Sequence, residues 1–241
     1  MELDRGKYAA PLYIQIENII KEKIENGEYG FGDVLPSEKQ LQEMFDVSRV
    51  TVRQAVSNLV NEGYLKSSRG IGTTVVFEKI DETLKRVISF SEEMRLHGMK
   101  MDTSYCFISQ VDAATKFLAG KLGVSEGEPY YQLDRVRRVK GTPMVYSTTY
   151  LAKRYDIPLD STLYNDSLYK FLEQQFGVKI TNGQDTFEAT LANEKIGRFL
   201  EIPEGAPVFK RTRRTLDQHD NVVEYTICYY PGDKYKYSVE L

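Results

Sequence analysis

The chain has 241 residues, enough for one large domain or two ordinary ones, and is 41% hydrophobic and 28% charged, which excludes a disordered polymer. No apolar run reaches membrane-spanning length, and the charged start Met1-Glu2-Leu3-Asp4-Arg5-Gly6-Lys7 is not expected to be a secretory signal. The net charge of −3 provides no general field for nucleic acid, and Cys106 and Cys228 match no metal spacing: they read as buried thiols of a cytoplasmic protein, with a disulfide as the alternative.

In chain order, Pro11 suits the first turn of a helix, and Leu12, Ile16, Ile19, Ile20 and Ile24 follow at helical spacing up to Asn26-Gly27. Gly30-Phe31-Gly32-Asp33 is a turn. Ser37 with Gln40 fits a capping box, and Leu41, Met44 and Phe45 give the helix that follows its inward side. Asp46-Val47 leads to Ser48, a good N-cap for a third helix that ends at Gly63. Val52, Ala55, Val56, Leu59 and Val60 form the apolar face of that helix. Arg49 and Arg53 share another face, with Thr51 and Gln54 beside them. Such a face suits the DNA major groove, where Arg grips guanine and Gln grips adenine bidentately, although alone it also fits an ordinary solvated helix. Two short helices joined by a tight turn form a helix-turn-helix. Strand candidates at 64–67 and 73–77 flank the tip Ser68-Arg69-Gly70-Ile71-Gly72, which completes a winged helix with Arg69 and bare backbone at Gly70 set for phosphates or the minor groove. The first 77 residues hold nine Lys/Arg against eleven Asp/Glu. Residues 48–70, however, hold Arg49, Arg53, Lys66 and Arg69 against Glu62 alone, so any field for DNA is local.

This segment resembles the DNA-binding domain of the GntR family of bacterial transcription regulators. The matching residues are Pro11-Leu12-Tyr13, Leu35-Pro36-Ser37-Glu38, Val47-Ser48-Arg49, Thr51-Val52-Arg53-Gln54-Ala55, Leu59, Glu62-Gly63 and Gly70-Ile71-Gly72-Thr73. The resemblance implies DNA contacts at Lys39, Arg49, Thr51, Arg53 and Gly70, to which the reading of the residues adds Ser48, Gln54 and Arg69. Lys39 stands where the family often has Arg, and Ile71 where the wing usually has a basic residue.

Residues 78–88 are polar and read as a linker. Beyond them, strand candidates at 103–111, 130–139, 143–150, 179–189, 206–216, 222–230 and 235–239 and helix candidates at 91–97, 113–122, 168–176 and 194–200 predict an α+β domain. Turns at Lys140-Gly141 and His219-Asp220-Asn221 argue for a largely antiparallel sheet. Asp112 and Asn193 are expected N-caps, and Gly123 and Gly177 expected C-caps. Arg135 and Arg137 are two apart on a strand and so point to one face. With the helix starts at Ser89-Phe90-Ser91-Glu92 and Asp166-Ser167-Leu168-Tyr169 they could cradle a phosphate or carboxylate, and Glu224 and Tyr230 could meet sugar hydroxyls. The competing reading is that the arginines pair with Asp134, Glu188 or Glu224 in a structural network.

Residues 87–241 are similar to the UTRA effector-binding domain of the HutC subfamily of GntR regulators, through Arg135-Val-Arg137, Gly141-Thr-Pro143, Ser167-Leu-Tyr169, Leu200-Glu-Ile-Pro203-Glu-Gly205, Glu224-Tyr225 and Tyr230-Pro-Gly-Asp233. The resemblance implies a pocket of Phe90, Ser91, Arg135, Arg137, Tyr150, Ser167, Tyr169, Glu224 and Tyr230, while Ser147 departs from a Glu found in many members. The expected fold is therefore α+β: a winged helix-turn-helix domain at 1–77, a linker at 78–88, and a mostly antiparallel effector domain of the UTRA/chorismate-lyase-like type at 89–241. The expected function is a cytoplasmic, homodimeric repressor of a short inverted-repeat operator, released by a small phosphorylated sugar, with a small organic acid as the other effector class. No cofactor, metal or membrane partner is expected. The alternatives are a chorismate-lyase-like enzyme and an effector-independent DNA-binding protein. His97 and His219 have no nucleophile nearby in sequence, and no Gly-Lys-Ser/Thr follows the glycines of the wing.

Overall fold

The computed structural model describes residues 3–6, 8–77, 80–83 and 87–238, with backbone alone at 80–83 and 238. The chain divides into two compact units, Met1–Lys79 and Ile80–Leu241. The expected α+β class holds.

In the first unit, α1 (Leu12–Glu25) buries Ile16, Ile20 and Ile24, one residue per turn along a single stripe. Pro11 caps this helix from just outside its first turn, rather than sitting within it as expected. The Ser37–Gln40 capping box starts α2 (Glu38–Phe45), and the hydroxyl of Ser48 accepts from the Thr51 N–H to start α3 (Arg49–Asn61). Asp46 makes the turn between them in a left-handed conformation, φ 49°, one that Asp tolerates better than most residues. The three helices close over one core that includes Ile20, Leu41, Val52 and Leu59. After Gly63, at φ 80°, β1 (Leu65–Ser68) and β2 (Gly72–Val75) pair antiparallel, leaving Arg69-Gly70-Ile71 as the wing tip.

The second unit is built on a six-stranded sheet, with β4 (Met101–Val111), β5 (Tyr130–Val139), β6 (Thr142–Ala152), β7 (Ile180–Leu191), β8 (Pro207–Asp217) and β9 (Val222–Pro231) in the spatial order β4-β5-β6-β9-β8-β7. Every neighbouring pair is antiparallel. Among the described residues, four α-helices complete it, α4 (Phe90–Leu96), α5 (Lys116–Leu122), α6 (Leu168–Phe176) and α7 (Glu194–Leu200), with a short 3-10 helix at Ser161–Tyr164. α5 packs on one sheet face with Ala152 and Tyr225, and α7 on the same face with Val136 and Tyr146. α4 and α6 bring Phe90 and Leu168 to the other face.

Two further expectations need correction. The helix foreseen at 113–122 starts later and is capped by Thr115, not Asp112, because the N–H of Ala114 bonds to the carbonyl of Glu128. The segment foreseen as a linker lies outside the described residues at 78, 79 and 84–86, but Ile80–Thr83 form β3. This strand pairs in parallel with β10 (Tyr235–Ser238), whose sequence lies at the far end of the unit.

Candidate functional site

Arg49 and Arg53 project from the first turns of α3, their side chains 70% and 68% exposed. Both meet Glu38, the first residue of α2: Arg49 Nε lies 3.0 Å from Oε2, and Arg53 Nε 3.9 Å from Oε1. Thr51 Oγ1 is 2.8 Å from the Ser48 hydroxyl. Gln54 Nε2 donates to Asn58 Oδ1, which turns its amide along the helix. Lys39 extends into solvent 4.0 Å from Glu43. Arg69 and Gly70, the latter at φ 86°, stand exposed on the wing. Sequence reasoning missed Glu38 and also Val50, an apolar side chain left exposed beside the two arginines, where it could meet a thymine methyl. An apolar residue on an otherwise polar face was the available signal.

In the second unit, alternation along the central strands puts Arg135 and Arg137 of β5, Ser147 and Thr149 of β6, Arg211 and Arg213 of β8, and Glu224 and Thr226 of β9 on one face. They line a cavity of about 50 Å³ under α4 and α6. Ser89 and Tyr169 also line an adjoining groove of about 500 Å³.

All four arginines are buried, but their partners differ. Arg211 and Arg213 both clasp Asp185 of β7, at 2.6 and 2.8 Å. Arg135 donates through Nη1 to the carbonyls of Tyr164 and Asp166, 3.1 and 3.4 Å away. Arg137 sits over the Phe90 ring at 5.7 Å. The Nε atoms of Arg135 and Arg137 and the hydroxyl of Ser147 have no hydrogen-bond partner among the described residues. Burial and the neighbouring Arg137 push the Arg135 guanidinium down to about 9. Burial also lowers Arg137. Glu224 accepts hydrogen bonds from the hydroxyls of Tyr169 and Thr226. Burial raises its carboxyl, against those bonds and the two arginines. Four guanidiniums against Glu224 and Asp185 leave an excess of buried positive charge, a state that ordinarily requires a paired anion.

The structure thus brings Phe90, Arg135, Arg137, Tyr169, Glu224 and Tyr230 to the cavity. Ser91 and Ser167 line the groove next to it, where Ser167 caps α6 and donates to Ser89. Tyr150 is not among them, which corrects the expectation. It follows Thr149 by one residue and so points to the opposite face, where its ring stacks on Tyr225 at 6.2 Å. Of the partners named in the structural-network alternative, Glu224 shares the cavity with Arg135 and Arg137 and interacts with both electrostatically, while the other two are engaged elsewhere. Asp134 bonds to Tyr146 and Thr148 on the reverse face, and Glu188 pairs with Lys210. Arg211 and Arg213 went unforeseen, because charged residues at 210, 211, 213 and 214 hide which parity faces inward.

No described helix is long and apolar enough to cross a membrane. Residues 12–75 match the bacterial regulatory proteins of the gntR family, and residues 97–236 match the UTRA domain. Among relatives, the HTH-type transcriptional repressor NagR of Bacillus subtilis (strain 168) is 33% identical over 227 residues, 94% of this chain and 93% of its own. The mannosyl-D-glycerate transport/metabolism system repressor MngR of Escherichia coli (strain K12) is 32% identical over 230 residues, 95% of each chain. The crystal structure of PhnF from Mycobacterium smegmatis superposes with a TM-score of 0.64 at 28% identity, covering 95% of this chain and 98% of that one. These relatives are transcription regulators and do not favour the enzyme alternative. With a helix-turn-helix unit followed by a UTRA domain, the domain pairing of the HutC subfamily, the chain belongs to the GntR family of bacterial transcription regulators.

Proposed function

We propose that this protein is a cytoplasmic repressor that holds a short inverted-repeat operator as a homodimer and lets go when a small phosphorylated sugar enters the UTRA domain. Residues 1–77 act as the DNA-binding domain and residues 89–241 as the effector-binding and dimerisation domain. The observation that carries the effector class is the buried Arg135–Arg137 pair, whose Nε atoms, like the neighbouring Ser147 hydroxyl, have no hydrogen-bond partner among the described residues. A phosphate offers enough acceptor oxygens for several such donors at once. Glu224, with Tyr169, would take sugar hydroxyls. A sugar acid is the second reading: the relative MngR is the repressor of a mannosyl-D-glycerate transport/metabolism system, and a carboxylate of that kind suits the same guanidiniums. An effector-independent DNA-binding protein has no use for this buried charge.

On the DNA side, Arg49 and Arg53 read base edges with Thr51 and Gln54, while Lys39, Ser48, Arg69 and Gly70 secure the backbone. The sugar phosphate must prefer one state of the dimer, since equal affinity for both states shifts nothing. The second unit offers a route for that preference. Arg211 of the cavity donates to the Tyr237 hydroxyl at 2.6 Å, and the hydroxyl of Tyr235 bonds Glu93 of α4. Both tyrosines belong to β10, which holds β3, the strand nearest in sequence to the DNA-binding domain. The test is a mobility-shift assay on duplexes selected from a random pool. Arg53→Ala is expected to abolish the shift while the thermal melt stays unchanged, and an undiminished shift would reject the reader helix.

A further inference from the structure

Arg49 and Arg53 are long and exposed, and each free arginine surrenders rotamer freedom when it is fixed on a base. In this protein the two are not independent. The two carboxylate oxygens of Glu38 face one arginine each, Oε2 at 3.0 Å from Arg49 Nε and Oε1 at 3.9 Å from Arg53 Nε. Glu38 itself is fixed by the start of α2, where Ser37 and Gln40 close a capping box and the helix N-terminus favours a negative charge. Both contacts run through Nε. The terminal Nη1 and Nη2 of each arginine stay available, the pair of donors that can fork onto guanine O6 and N7. Glu38 also places one negative charge beside the two reader charges, which weakens their attraction to any run of phosphates whatever its sequence.

We infer that Glu38 is a positioning residue for sequence reading: it holds the two reader guanidiniums at a fixed separation before DNA arrives and suppresses binding to the wrong DNA. The inference rests on the reader-helix reading above. It assigns Glu38 opposite effects on right and wrong DNA, which a merely structural role does not produce.

The experiment uses the full chain and two duplexes of equal length, one enriched from a randomised pool by the unsubstituted protein and one of scrambled sequence. For Glu38→Gln, affinity for the enriched duplex is expected to fall about three- to tenfold, the scale of freeing rotamer-rich side chains at an interface. Affinity for the scrambled duplex is expected to stay level or rise, with a salt dependence steeper by up to about one unit. A thermal melt of Glu38→Gln within a few degrees of the parent's shows that the variant is folded. Undiminished binding to the enriched duplex, or an equal loss on both duplexes, overturns the inference. Arg49→Ala and Arg53→Ala run alongside. If they abolish enriched-duplex binding while Glu38→Gln leaves it intact, Glu38 alone is misassigned; if they too leave it intact, the reader-helix reading fails and takes this inference with it.

Discussion

Replacing Arg137 by methionine is expected to make the unliganded protein more stable while making it deaf to its effector. Arg137 and Arg135 are separated by two strand rises, about 6.6 Å. At an effective dielectric constant near 20, two unit charges at that distance repel by about 2.5 kcal/mol. The Phe90 ring, 5.7 Å from the Arg137 guanidinium, returns about 1 kcal/mol, and the attraction of Glu224 is offset by the cost of burying the Arg137 charge. Methionine keeps the length of the side chain and removes the charge, a type of exchange that often stabilises buried sites. The net gain is about 1–2 kcal/mol, or roughly 2–8 °C in melting temperature for a chain of this size. Scanning calorimetry of the full chain without ligand measures it. A thermal-shift series with sugar phosphates is then expected to show stabilisation of the parent and none of Arg137→Met. A variant that melts lower by more than about 1 kcal/mol would refute the reasoning, since Arg137 would then be a satisfied part of the core.

Effector affinity should also follow pH. Bound anion favours the protonated guanidinium of Arg135, which loses its proton at about 9 in the empty cavity. Affinity should therefore hold near pH 7–8 and fall by up to tenfold per unit above about 9. A phosphate monoester should also weaken below about pH 6, where it gains a proton. Titration calorimetry across this range checks both limbs, and a flat profile above pH 9 would remove Arg135 from the anion site. Tyr150→Phe should leave effector affinity within about twofold, because its ring lies on the reverse sheet face, whereas Tyr169→Phe should cost roughly tenfold through the buried Glu224 carboxylate it supports.

The helix-turn-helix was legible because its signals are local. Ser37 and Ser48 cap within three residues of themselves, and the apolar stripe of α3 needs no partner to be seen. The cavity was legible only as far as parity along one strand could carry it. Arg135 and Arg137 share a face at any register, but the inward parity of β8 depends on its pairing with β9, which shifts register between Thr215 and Leu216. Tyr150 came from resemblance rather than parity. Counting from Ser147 and Thr149 would have placed it on the other face. β3 escaped notice because Ile80-Asp81-Glu82-Thr83 is too polar and too short to stand out, and its partner lies at the other end of the unit.

The central claim is that the buried arginine pair governs a DNA-binding surface elsewhere in the chain. Titrating the sugar phosphate that stabilises the protein best into a complex of the full chain with its enriched duplex, followed by fluorescence anisotropy, tests it most directly. The account predicts that the parent protein releases the duplex, and that the Arg135→Ala, Arg137→Ala double variant binds the same duplex equally well and keeps it at every ligand concentration. Release from the double variant at the parent's ligand concentration would contradict the account.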